Sequence, residues 1–248
     1  LIIVQRIVSI FILSLVLSIA GVGESCTYGC EKARTKVLKP GLPFASQVKK
    51  KNTIYEIRDE YELGDGIVTI PKGCTLSFKG GKLTGKGILV GNKTTIVSSD
   101  SNIFQGLSVM GSWKNGHANV SWFADNNQLA LVNAIAVSDS VIVDKDLIFT
   151  ANLETNKSGL TICSDYKRLN QGVYGWKMQN VHDVKITGLD FYGTEKYVHG
   201  STATALSISN GTNVSVEDCS LDGCYFYGFV LNSCKDSKLD RCRFRQTG

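Results

Sequence analysis

Proline is scarce in this 248-residue chain, with 3 occurrences, and no long tract of alanine, leucine and glutamate runs through it. The first absence excludes collagen-like and proline-rich architectures, and the second excludes a chain built from long helices. Charge of one sign is lacking too. The formal excess is +5, from 27 Lys and Arg against 22 Asp and Glu, and it is scattered along the sequence. So small and dispersed an excess does not point to a nucleic-acid partner. What is abundant is Gly (25), with Ser, Thr, Asn, Val and Ile, a composition of short strands and turns. Hydrophobic residues make up 43%, enough to bury a core and too many for a disordered chain. The length allows one or two domains.

The N-terminus reads as an export signal. Arg6 precedes a run from Ile7 to Ile19 interrupted only by Ser9, Ser14 and Ser18. That run fits a secretory signal and is too short for a typical membrane span. Ser18-Ile19-Ala20 and Gly21-Val22-Gly23 both supply small residues for cleavage. The expectation is an exported protein of the periplasm, cell surface or exterior, with no membrane span after signal removal. Cys26 offers a lipoprotein anchor, although Gly23 stands where a lipobox has a branched apolar residue. Cys26 and Cys30 have no histidine nearby, so zinc is poorly supported. Cys74 and Cys163 lie in strand-like runs and read as small buried residues.

From Asn52 to Phe104 short β-branched runs alternate with turns. Ile67-Val68-Thr69-Ile70 ends at Pro71-Lys72-Gly73, and Gly91-Asn92 separates Ile88-Leu89-Val90 from Thr94-Thr95-Ile96-Val97. Such spacing signals an all-β stack or coil. One helix stands out. Asp125 is its expected N-cap and Gln128 its N3 residue, a capping-box variant, and apolar residues then recur at helical spacing to Val137. The expected organisation is a signal peptide over 1–20, a leader over 21–51, a β-rich module over 52–112 and a connector over 113–124. A parallel β-helix then starts over 125–248, with a capping helix over 125–137.

The last third carries an internal repeat. Ile186, Leu189 and Phe191 share the spacing of Val216, Cys219 and Leu221, and of Leu239, Cys242 and Phe244. The pairs Trp176/Met178, Leu206/Ile208 and Phe229/Leu231 precede them in the same order. The first interval is longer, and the surplus falls between Tyr192 and Thr204. A short period with strands and turns, and no helix in each copy, marks a parallel β-solenoid. A leucine-rich repeat is excluded, because no leucine-spaced strand and no asparagine ladder is visible. The fold expected is therefore all-β, a right-handed parallel β-helix. A solenoid needs a cap, and Gly248 directly follows a regular coil, so the sequence reads as C-terminally truncated.

The stretch from Ser121 to Ile135 that introduces these coils resembles the pectate-lyase-like superfamily. The lead-in from Ile67 to Phe78 is similar to exported β-helix proteins of gut Bacteroides-type bacteria. The resemblance implies a helix that plugs one end of the solenoid and a carbohydrate site on one outward face. It departs from the pattern where Asp144-Lys145-Asp146 replaces a strand–Pro-x-Gly turn. The superfamily's Asn-Thr-Asp, Asp-Asp and Arg-Ile-Lys hydrolase motifs are not reproduced.

Fold does not fix function, so the site is argued from register. If Val216, Cys219 and Leu221 point inward, Asp190, Ser220 and Arg243 stack outward, beside Tyr192, Asp222 and Arg245. Glu217 lies under Asp240. Paired carboxylates of this kind act as acid and base, or hold Ca²⁺ against a uronate in a lyase. The bland alternative is a set of cross-rung ion pairs such as Asp218–Arg241 and Asp222–Arg245. The catalytic candidates are Asp190, Asp222 and His199, the last in the one inserted loop. The binding candidates are Tyr197, for sugar stacking, with Ser220, Arg243 and Arg245, whose guanidinium forks match uronate carboxylates. Two functions follow: a polysaccharide lyase or glycoside hydrolase, or a non-catalytic surface or tailspike-type protein that binds glycans.

Overall fold

A computed structural model describes residues 34–194, 204–223 and 227–245. Nearly every strand is short, and each pairs in parallel with the strand one coil on. This is a parallel β-solenoid of about 9 turns. Alternation explains it. Within a strand such as Thr53–Ile57, every second side chain is buried, and the inward residues stack on those of the next coil.

Three faces recur along the chain. In the downstream stack the first face holds Ala118–Asn119, Ser140–Val143, Thr161–Ser164, His182–Thr187, Thr212–Glu217 and Lys238–Asp240. The second holds Leu147–Ile148, Arg168–Asn170, Asp190–Tyr192, Ser220–Asp222 and Arg243–Arg245. The third holds Leu153–Glu154, Trp176–Gln179, Thr204–Ser209 and Tyr227–Asn232. The repeat reads true in register: Ile186 pairs Val216, Val216 pairs Leu239, and Trp176, Leu206 and Phe229 form one column. Ile186 and Val216 are fully buried, whereas Leu239 on the last described coil is 41% exposed.

The upstream residues form coils of the same kind. Arg34–Val37, Thr53–Ile57, Thr75–Phe78 and the second half of Ile88–Val97 make one face. Glu60–Glu62, Lys82–Thr84 and Phe104–Gln105 make another, and Phe123 adds the next rung to it. Ile67–Thr69, the first half of Ile88–Val97 and Ser108–Trp113 make the third. Gly91-Asn92 does not break the run as its sequence suggests. Ile88–Val97 is one strand that serves two faces, with an irregularity between Asn92 and Thr94.

The helix Gln128–Val137 takes the place of a third-face strand. It covers the free edge of Ser108–Trp113. The Asn133 side chain accepts from the Val109 amide at 3.1 Å and donates to the Leu107 carbonyl at 3.0 Å, as a strand backbone would. Its N-cap is Asn127, which accepts from the Leu129 amide at 2.9 Å, and not Asp125 as the sequence suggests. The cause lies just upstream. The Asp125 carbonyl is held by the Lys145 ammonium and the Asn126 carbonyl by the Ile148 amide, which ties both residues into the second face. Gln128 does not reach back to a cap; it bonds Thr150. Lys157 closes the other end, donating to the carbonyls of Ile135 and Ser138 and pairing with Asp139.

Corners between faces use left-handed backbone. Asn180, Asp183, Asn210 and Asn213 all have φ between 53° and 55°, a region where Asn and Asp cost least among non-glycine residues. A short polar ladder does therefore exist, unseen in the sequence. Asn210 donates to Asn180 at 3.2 Å, and Asn213 donates to Asp183 at 2.6 Å. Gly188 is needed at its corner: its φ is 71°, and a Cβ there would meet the Ser164 carbonyl oxygen at 2.2 Å. Cys74 is buried, but Cys163 is only half-buried, because its side chain falls on the outward register of Thr161–Ser164. Among the described residues all five cysteines are unbridged.

Candidate functional site

The second face presents two outward ladders that flank an inward column. Leu147, Leu169, Phe191, Leu221 and Phe244 form the column. One ladder is Arg168, Asp190, Ser220 and Arg243, and the other is Asn170, Tyr192, Asp222 and Arg245. Strand period fixes this: Leu221 turns in, so Ser220 and Asp222 turn out. The expected stacking of Asp190, Ser220 and Arg243 is therefore the observed register. His199 and Tyr197 lie outside the described residues.

Contacts within the ladders differ from rung to rung. Arg168 donates through Nε to Asp190 at 2.9 Å, and its guanidinium lies 4.6 Å from the centre of the Tyr192 ring. Ser220 donates to the other oxygen of Asp190 at 2.7 Å. The hydrogen bond from Arg168, foremost, raises the pKa of that guanidinium still further. Asp222 accepts from the Gly223 amide at 2.9 Å and takes part in no ion pair among the described residues. The Asp222–Arg245 ion pair expected from register does not form, although the two residues are aligned. Arg243 and Arg245 are exposed, and neither enters an ion pair among the described residues. Together with the exposed Tyr166 these side chains line a shallow depression of about 180 Å³.

Arg168 and Tyr166 escaped the sequence reading. The apolar spacing that marks later coils is stretched here, because Asp165, Tyr166 and Lys167 lengthen the corner between Ile162 and Leu169. The alignment of Arg168 with Asp190 was thus hidden. A second depression, of about 370 Å³, lies on the third face and is lined by Asn152, Glu154, Gly175, Lys177, Thr204 and Ser207.

Glu217 and Asp240 are aligned as expected, yet cations fill the space around them. Glu217 is only 9% exposed and meets Lys238 at 2.8 Å, Lys185 at 3.1 Å and Arg241 at 3.8 Å. Ser215 also donates to it at 2.6 Å. Arg241 spans Asp218 with two bonds and reaches Asp240 at 2.6 Å, the cross-rung pairing anticipated for Asp218. The Lys238 bond, with Ser215 and Lys185 behind it, lowers the Glu217 pKa to about 2. The carboxylate thus stabilises the fold above its ordinary value of 4.5, and that contribution is lost as pH falls towards 2. Thermal midpoints of the parent and Glu217→Gln should differ most above pH 4.5 and converge near pH 2. A gap that does not narrow in acid would contradict this assignment. Among the described residues no three His, Cys, Asp or Glu side chains gather as metal ligands, and no helix is long and apolar enough to cross a membrane.

No protein-family model matches the chain, nor does any curated protein or any solved structure.

Proposed function

We propose that this is an exported, pectate-lyase-like β-helix protein whose second-face ladders bind an acidic polysaccharide. The observation that carries the reading is the row of outward polar groups set one coil apart, about 4.8 Å, and ending in two arginines that enter no ion pair among the described residues. Arg243 and Arg245 supply forks for uronate carboxylates. Tyr166 and the Arg168–Tyr192 pair supply flat surfaces for sugar rings. Export is supported by the apolar run from Ile7 to Ile19 and the small residues after it. A binding role fits better than a catalytic one for Asp190, because Arg168 and Ser220 engage both of its oxygens.

One observation favours an enzyme. Asp222 is a ladder carboxylate with no cationic partner among the described residues, placed to give or take a proton beside a bound sugar. A lyase or glycoside hydrolase would use it as acid or base. Titration of the chain with polygalacturonate and with a neutral glucan tests both readings. Arg243→Ala with Arg245→Ala should weaken polygalacturonate binding about tenfold or more and leave any neutral-glucan binding unchanged. Unchanged affinity for polygalacturonate would remove the second face as the site. Release of reducing ends or unsaturated uronates by the parent, abolished in Asp222→Asn, would establish the enzymatic reading over simple binding.

A further inference from the structure

One lysine stands at the same corner of four successive coils: Lys51, Lys72, Lys93 and Lys114 recur at a constant sequence interval. The corner joins the third face to the first. Lys51 and Lys72 share the register of Ile54 with Thr75, and the Asn52 amide bonds the Lys72 carbonyl. The next coils are shorter, so Lys93 and Lys114 step sideways and the row slants. The Gly73 amide bonds the Asn92 carbonyl and the Lys114 amide bonds the Thr94 carbonyl. All four side chains are exposed, as are those of Lys49 and Lys50 at the head of the row. None of the six enters an ion pair among the described residues.

Elsewhere in the solenoid Lys82 pairs with Glu60 and Lys185 with Glu217, whereas this row has no carboxylate partner among the described residues. Like charges one coil apart repel, and among the described residues no Asp or Glu forms an ion pair with any of them. An aromatic ring joins the row. Trp113 packs its indole flat on Gly91, where a Cβ would lie 2.5 Å from the ring, and donates from Nε1 to the Met110 carbonyl. It remains half-exposed beside Lys114, with Met110 46% exposed on the same strand.

We propose that this corner is a second binding site, for a linear polyanionic polysaccharide lying along the solenoid axis. The lysines stand one per coil in a slanting file, and successive coils rise by about 4.8 Å. An extended acidic glycan carries one anion on each ring, so its charges recur at the length of a ring. A file suits a chain better than a planar anionic membrane, which would meet a broad basic face. Single-stranded nucleic acid needs a succession of aromatic platforms for its bases; this row offers one, Trp113. The site is separate from the second-face ladders, so either can fail without the other.

The test uses the whole chain at low salt, with polygalacturonate, single-stranded DNA and anionic phospholipid vesicles as probes. The triple variant Lys72→Gln, Lys93→Gln, Lys114→Gln alters only exposed side chains and keeps the fold, which circular dichroism checks. Measured in the Arg243→Ala, Arg245→Ala background, where the second face is silent, polygalacturonate affinity should fall on the order of tenfold or more, and the salt dependence should flatten. Arg243→Ala with Arg245→Ala, run in parallel, should leave the lysine-dependent part intact. Unchanged polygalacturonate affinity in the triple variant overturns the proposal. So does a larger loss for DNA or vesicles than for polygalacturonate. Loss in the triple variant with none in the arginine variant upholds this site while removing the second-face reading.

Discussion

Asn133→Ala should lower the stability of the solenoid by about 2–5 kcal/mol, because it strips partners from two buried backbone groups at once. Asn133 is only 2% exposed, and its amide serves the Val109 N–H and the Leu107 carbonyl. The Val109 amide lies in the last strand of the upstream third face and the Leu107 carbonyl immediately before it, where no further strand follows. Helix propensity works the other way. Alanine is the better helix former, by a few tenths of a kcal/mol, so an isolated helix would gain from the change. The loss therefore reads the edge-covering role directly. For a domain of this size the thermal midpoint should drop by roughly 10 °C. A midpoint within a degree or two of the parent would mean that the helix does not close that edge.

Phe104→Ala should cost about 3–5 kcal/mol, the usual range for a buried aromatic truncated in a packed core. Phe104 is buried between Phe78, at a centroid distance of 5.3 Å, and Phe123, at 5.2 Å. The three rings belong to successive coils, and Phe123 leads into the helix-bearing one. In a stack of coils each unit contacts only its neighbours, so a cavity at a junction weakens coupling on both sides. Denaturant unfolding should then lose cooperativity as well as midpoint, with a smaller slope than the parent. A midpoint shift with an unchanged slope would place the damage within one coil and not at a junction.

The downstream coils were legible because each carries the same apolar spacing, from Ile186 to Phe191 and from Val216 to Leu221. That spacing follows from short corners with Gly188 or Asp218 in left-handed conformation. Where a corner lengthens, as at Asp165-Tyr166-Lys167, the pattern slips and Arg168 goes unnoticed. The upstream coils were read as strands and turns without their register, since Ile88–Val97 serves two faces in one unbroken strand. The lysines at constant interval were the missed sign of that register. The start of the helix was misplaced for a different reason. Asp125 has the right chemistry for a cap, but tertiary hydrogen bonds from Lys145 and Ile148 claim the backbone there. Polar corner ladders such as Asn180–Asn210 stay hidden because only left-handed backbone brings these side chains together. Of the site, the alignment of Asp190, Ser220 and Arg243 was readable from alternation alone; the engagement of Asp190 by Arg168 was not.

The most direct measurement is a crystal structure of the chain with a uronate oligosaccharide. The account predicts sugar carboxylates at the guanidinium groups of Arg243 and Arg245, with a ring against Tyr166 or the Arg168–Tyr192 pair. An oligosaccharide seated instead in the third-face depression beside Glu154 and Lys177, with the second-face ladders bare, would contradict it.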